Sequence, residues 1–187
     1  MRAAISMLLL VSAMQVLPQD GATETSPPLV ITDATAVQLS KSQVFQAALD
    51  AWTYSFGQEP GVKVITRDTV AGRIEATARV NYRSQGLGSR EQTMGVINYT
   101  ITIQAENGQC QVRISHLYHV GNRNAPGGGI DLGTIYSGPR PLERTQGISA
   151  GTAQRLHEDM REQATARIKE VMKRFSSDMR MSAEQMR

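Results

Sequence analysis

The chain has 187 residues, with 20 Lys and Arg against 17 Asp and Glu, a formal charge of +3 and a pI near 9.2. That length holds one ordinary domain plus tails, with a core that needs no staples, and the single cysteine, Cys110, excludes an intramolecular disulfide. The charges are interspersed with no like-charge run, which argues against the concentrated basic arm or face of a nucleic-acid binder.

Arg2 precedes an apolar run from Ala3 to Ala13 that ends in the small residues Ser12 and Ala13. This is the pattern of a cleavable export signal, assigned to residues 1–14. The run is short for a bilayer span, which needs roughly 20 residues. No cysteine sits near the end of the run to carry a lipid. Residues 15–33 (Leu17-Pro18-Gln19-Asp20-Gly21, then Ser26-Pro27-Pro28) have the composition of a flexible tether. A single domain is expected over 34–182.

Ala34 to Leu39 has the length and content of a short strand. Ser40 then caps a helix, with Gln43 placed to reach back. That helix runs to Gly57 and presents Val44, Phe45, Ala48, Leu49, Trp52 and Phe56 as one stripe, with Trp52 as the core anchor. After Pro60-Gly61, Val62 to Thr66 reads as a strand. Gly72 opens another, in which Ile74, Ala76, Ala78 and Val80 alternate with Arg73, Glu75, Thr77 and Arg79, so one face is wet. A five-residue connection between them would set Val62 and Val64 opposite Val80 and Ala78. Gly86-Leu87-Gly88 lacks the third glycine and the helix of a phosphate loop, and reads as a strand connection.

The strongest local signal is Asn107-Gly108, a pair suited to a type I′ reversal. Counting outward, Ala105 faces Cys110, Ile103 faces Val112, Ile101 faces Ile114, Tyr99 faces His116 and Ile97 faces Tyr118. The other side pairs Gln104 with Gln111, Thr102 with Arg113 and Thr100 with Ser115. A one-residue slip would turn the apolar set to water, so turn and burial pattern specify one register. Cys110 falls on the apolar side and is expected to be an inert core thiol.

Residues 121–148 are Gly- and Pro-rich (Pro126, Gly127-Gly128-Gly129, Gly138-Pro139, Pro141). Such a loop is either functional or disordered; Ile130, Leu132, Ile135 and Tyr136 could pack down as a flap. A long helix follows from about Ala150 to Met181, capped by Ser149 or Thr152, with Leu156, Met160, Ala164, Ile168, Val171, Met172, Phe175 and Met179 in one stripe. At 1.5 Å per residue it is roughly 45 to 50 Å long, against about 30 Å for a strand of eight to ten residues. An overhang is therefore expected, with Val171, Met172, Phe175 and Met179 partly uncovered.

Strand, helix, four antiparallel strands and a helix give an α+β fold: a single curved antiparallel sheet of about five strands with two helices on its apolar face, in one copy. Between Ala34 and Val120 the chain resembles a family of exported bacterial proteins, a domain of unknown function with a TATA-box-binding-protein-like fold. The matching residues are the helix around Trp52, Gly72-Arg73-Ile74, Tyr99-Thr100-Ile101-Thr102-Ile103, and Asn107-Gly108 followed by Cys110, Val112 and Ile114. Where the family tends to place an acidic residue before the turn glycine and an aromatic after it, this chain has Asn107 and Cys110. The resemblance implies the fold and no catalytic residues.

Nothing in the sequence forms a nucleophile elbow, a zinc helix or a P-loop. His116 and His119 should point to opposite faces of their strand and cannot share a metal without a bulge. His157 with Asp131, Glu158 or Asp159 would have to complete any metal site. The wet sheet face has Arg residues but no aromatic platform or intercalating wedge, which argues against nucleic acid. The expectation is an exported, periplasmic or secreted, non-enzymatic module without cofactors or metal that binds an envelope protein or small ligand. Its candidate surface is Arg79 and Arg113 on the wet face, His119, Ile135 and Tyr136 near the loop, and Met172, Phe175 and Met179 on the helix. The alternatives are a hydrolase or metal-dependent enzyme centred on His116 and the 121–148 loop, and a structural module that self-associates into a homo-oligomer through the C-terminal helix.

Overall fold

The computed structural model describes residues 26–85 and 91–186. The expected export signal, the first part of the tether and Gly86-Leu87-Gly88 lie outside the described residues. Strands β1 (Ile31–Ala36), β2 (Lys63–Asp68), β3 (Arg73–Tyr82), β4 (Gly95–Glu106), β5 (Gln109–Gly121) and the two-residue β6 (Gly133–Thr134) form one antiparallel sheet in the order β1-β5-β4-β3-β2, with β6 beside the far end of β5. Helices α1 (Lys41–Tyr54) and α2 (Ala150–Gln185) lie together on one face. The α+β sheet with two helices is therefore the fold that the alternation and stripes specify.

The hairpin core has the expected register: Ala105 pairs with Cys110, Ile103 with Val112 and Ile101 with Ile114, all buried. The turn type differs. Only Gly108 adopts positive φ (82°), whereas type I′ needs it at both central residues. Asn107 is committed elsewhere: its Oδ1 accepts the Lys41 N–H at 2.8 Å, capping α1 from across the fold. Gly108 N–H donates to the Leu39 carbonyl and its own carbonyl accepts the Val37 N–H, so the hairpin tip clamps the β1–α1 connection. Within that connection, the Gln43 side chain accepts the Ser40 N–H as expected.

Boundaries move for local reasons at three places. β1 starts at Ile31, inside the expected tether, because its residues pair with β5 from Ile114 back to Gln109. Upstream, Leu29 N–H donates to Ile135 and Ser137 N–H to Pro27, so the chain is already fastened there. α1 stops at Tyr54, where Ser55 N–H turns back to the Trp52 carbonyl, and a 3-10 turn (Phe56–Gln58) delivers Phe56 to the core. The β2–β3 connection is shorter than expected because Asp68 Oδ1 accepts the Val70 and Ala71 N–H groups. Val64 consequently pairs with Ala76 rather than Ala78, and a bulge at Ile65 restores its inward phase.

The helix overhang does not occur. β4 and β5 are 12 and 13 residues long rather than eight to ten, and α1 lies along α2, with Phe56 5.6 Å from Phe175 ring to ring. Val171, Met172, Phe175, Met179 and even Ala183 are buried. The apolar stripe expected to be partly uncovered is thus inside the fold, and the face that α2 leaves to solvent is mostly polar.

Candidate functional site

The far half of β5 departs from the expected pairing. After Thr100 pairs with Ser115, Asn98 pairs with Tyr118 and Ile97 with His119, so β5 carries one extra residue opposite Tyr99. His116 takes the left-handed conformation (φ 54°) that such a bulge needs. Its ring is exposed beside Ser115, with Ser115 Oγ 3.1 Å from His116 Nδ1. Leu117 and His119 turn inward instead, and Tyr118 turns to solvent. The pairings Tyr99 with His116 and Ile97 with Tyr118 are therefore corrected, and so is the outward assignment of His119, which is 0% exposed.

Two buried imidazoles hold the 121–148 loop against this end of the sheet. His119 Nδ1 accepts the Leu132 N–H at 3.3 Å, which places the ring proton on Nε2, where it has no partner among the described residues. Its ring meets Tyr82 edge to face at 5.5 Å. His157, from the first turns of α2, accepts the Tyr136 N–H on Nε2 at 2.9 Å and lies over the Tyr136 ring. Burial pushes His119 down to about 4 against the opposing charge of Asp131. Burial, aided by Arg161 and Arg140, pushes His157 down to about 4 against Glu158. Both rings are neutral acceptors at pH 7. Asp131 accepts the Gly121 N–H, and β6 adds main-chain pairing to Tyr118 and His119. The loop is an ordered cover, with Leu132 and Ile135 buried beneath it.

Two other interior groups, Tyr82 and Glu59, are tied to α2 in a similar way. Tyr82 donates its hydroxyl proton to Asp159 at 2.7 Å, and burial raises its pKa. Asp159 also accepts from Gln163 and from the Gln85 N–H. Buried Glu59 accepts from Arg167 Nη2 at 2.7 Å, and its charge adds to burial in raising the pKa of Tyr99. Glu59 and Arg167 are 108 positions apart, and nothing in their local sequence marks them as partners. Burial pushes the Cys110 thiol up to about 12, as an inert core thiol requires. Among the described residues no group of three or more His, Cys, Asp or Glu side chains is placed to hold a metal ion.

The residues expected to form a partner surface divide by this geometry. Arg79 and Arg113 are exposed on the helix-free sheet face. Arg79 borders a depression of about 330 Å³ with Glu59, Pro60, Gln163 and Arg167. Tyr136 is half-buried at the loop. His119, Ile135, Phe175 and Met179 are in the core and present no surface, and Met172 is buried except for an edge that reaches the flank of α2 beside β1. A second concavity, of about 390 Å³, lies between the edge of β1 and the flank of α2.

Residues 32–119 match the model of a family described as "Domain of unknown function (DUF4468) with TBP-like fold". Over that stretch, just under half of its length, the chain is similar to the DUF4468 model, and its sheet and helices have the TBP-like fold. The crystal structure of a DUF4468 family protein from Bacteroides ovatus superposes with a TM-score of 0.50 at 14% identity, over 79% of this chain and 86% of that one. A TBP-like protein from Parabacteroides distasonis gives 0.52 at 11% identity, over 79% and 92%. At these identities the likeness concerns the fold. No curated protein matches the chain. The DUF4468 match ends at His119, so it stops short of the loop and of α2.

Proposed function

We propose that this chain is an exported, non-enzymatic binding module of the bacterial cell envelope. The observation that supports this reading is the one-sided architecture. Both helices lie on the inner face of the sheet, and the outer face is left open with Arg73, Arg79, Asn98, Gln111 and Arg113 exposed. An open polar face flanked by an ordered loop suits protein or ligand recognition, since its side chains need no rearrangement to make contact. Of the groups with shifted pKa values, His119 and His157 hold the loop, and Tyr82 and Arg167 tie β3 and the turn at Glu59 to α2. That is the use expected of them in a scaffold.

The test is capture of envelope components by the mature domain and by an Arg79→Glu/Arg113→Glu variant. A component retained by the first and lost by the second supports recognition through this face. Equal retention by both would move the interaction elsewhere.

A hydrolase centred on His116 has one observation in its favour: a serine hydroxyl beside an imidazole in a strained backbone, Ser115 Oγ to His116 Nδ1. Labelling of Ser115 by a serine-directed phosphonate, abolished in His116→Ala, would favour the enzyme.

A further inference from the structure

The two edges of the sheet are built differently. β2 carries Lys63, Arg67 and Asp68, and its bulge at Ile65 breaks the regular ladder, the devices by which an open edge resists pairing. β1 has no bulge against β5. The side chains it turns to the outer face are the small Thr32, Ala34 and Ala36, all exposed. Every second residue of an antiparallel edge strand directs its N–H and C=O away from its neighbour, so β1 offers a regular, unhindered row of main-chain groups.

Along that edge runs the concavity of about 390 Å³ against α2. Met172 and Ile31 contribute its apolar part, while Lys169, Lys173 and Arg180 stand along the helix side. The ion pairs among the described residues involve Arg73, Arg167 and Arg174, and none uses these three cations. The one carboxylate in the groove, Asp33, is occupied by the Ser176 hydroxyl at 2.9 Å. The groove therefore has three free cations to one engaged anion, beside an open strand.

We propose that β1 and the basic flank of α2 form a docking groove for an extended acidic segment of a partner protein, which joins the sheet as an additional strand beyond β1. This deepens the binding-module reading and rests on it. Main-chain hydrogen bonds to β1 supply the pairing, and alternate side chains of the added strand fall on the α2 side, where carboxylates meet Lys169, Lys173 and Arg180. Charge complementarity selects the partner. A second copy pairing β1 to β1 would bring two sets of these cations together, which disfavours self-association at this edge.

The probe is a synthetic peptide alternating Glu and Thr, titrated against the full chain, with a Lys-Thr counterpart and a Glu-Thr peptide interrupted by prolines. Binding is expected for the Glu-Thr peptide only, weakening as salt is raised, and with new hydrogen-exchange protection in β1. Lys169→Glu/Lys173→Glu should weaken it at least about tenfold, and the milder Lys169→Gln/Lys173→Gln should weaken it less. Both positions are exposed, so thermal melts of these variants should match the parent. Equal affinity for the proline-interrupted peptide would reduce the groove to a general anion trap and overturn strand addition. Absence of binding, or dimerisation at this edge in sedimentation, would overturn the proposal as well. An envelope component lost with the Arg79/Arg113 variant but kept by the Lys169/Lys173 variants would leave the module reading intact while removing this groove from it.

Discussion

Tyr136 N–H donates to Nε2 of His157 at 2.9 Å, so a backbone donor of the Gly-rich loop is satisfied by a side chain of α2 rather than by water. Together with the Leu132 N–H on His119, this bond makes the loop's position depend on two neutral rings.

A pH dependence follows with a definite sign. Unfolded histidine titrates near 6.5, whereas His119 and His157 are held down to about 4 in the fold. Between these values the unfolded chain takes up protons that the folded one refuses. Stability is therefore fully present above about pH 6.5 and is lost as pH falls toward 4, by something of order 3 kcal/mol per ring. Urea midpoints measured down the pH scale should fall through this window. His157→Gln, whose amide oxygen can accept the Tyr136 N–H without titrating, should give a shallower fall. A midpoint that stays constant through the window would refute the neutral-acceptor assignment.

Gly95 and Gly151 should respond to alanine with opposite signs. A Cβ on Gly95 would stand 2.2 Å from the Val120 carbonyl oxygen and 2.5 Å from His119 Nε2, so strand β4 would have to separate from β5. Gly95→Ala is expected to destabilise by about 2 kcal/mol or more. Gly151 is in the first turn of α2 with nothing near its Cβ position. Its replacement by alanine should stabilise by a few tenths to about 1 kcal/mol. Denaturant titration of the two variants side by side checks the contrast.

Phe175→Ala should be among the costliest single changes. The ring is fully buried and packs on Phe56, which in turn contacts Trp52. Truncation leaves a cavity between the two helices, at a cost of about 3 to 5 kcal/mol. A loss below about 1 kcal/mol would mean that α2 is less firmly seated than its packing indicates.

Asn107→Ala should weaken the domain by about 1 kcal/mol through α1, although the mutation is in the β4–β5 turn, because it removes the acceptor for the Lys41 N–H. Hydrogen exchange is the discriminating measurement. Protection should fall in the first turn of α1 before it falls in the hairpin.

How much of this was legible in the sequence depends on whether two signals agreed. From Ala105 to Ile101 and from Cys110 to Ile114, turn chemistry and alternation gave the same register, and that register is present. Beyond Ser115 both phases of β5 carry bulky residues, Leu117 in one and Tyr118 in the other, so alternation could not reveal the bulge at His116. The same ambiguity hid which histidine is buried. The stripe of α2 was readable, but its cover was not, because that depends on strand lengths and on α1 lying alongside. The Glu59–Arg167 pair and the Asn107 cap join residues distant along the chain and left no local trace. The loop's apolar residues allowed an ordered flap as readily as a floppy excursion, and the two imidazole anchors that decide between them needed the three-dimensional arrangement.

The extra residue at His116 divides β5 into two stretches whose inward positions differ in parity. The first stretch lies between β4 and β1, and the second between β4 and β6. Substitutions that tune the loop-bearing stretch thus need not disturb the stretch that frames the β1 edge, and a lineage could remodel one end of this sheet while inheriting the other unchanged.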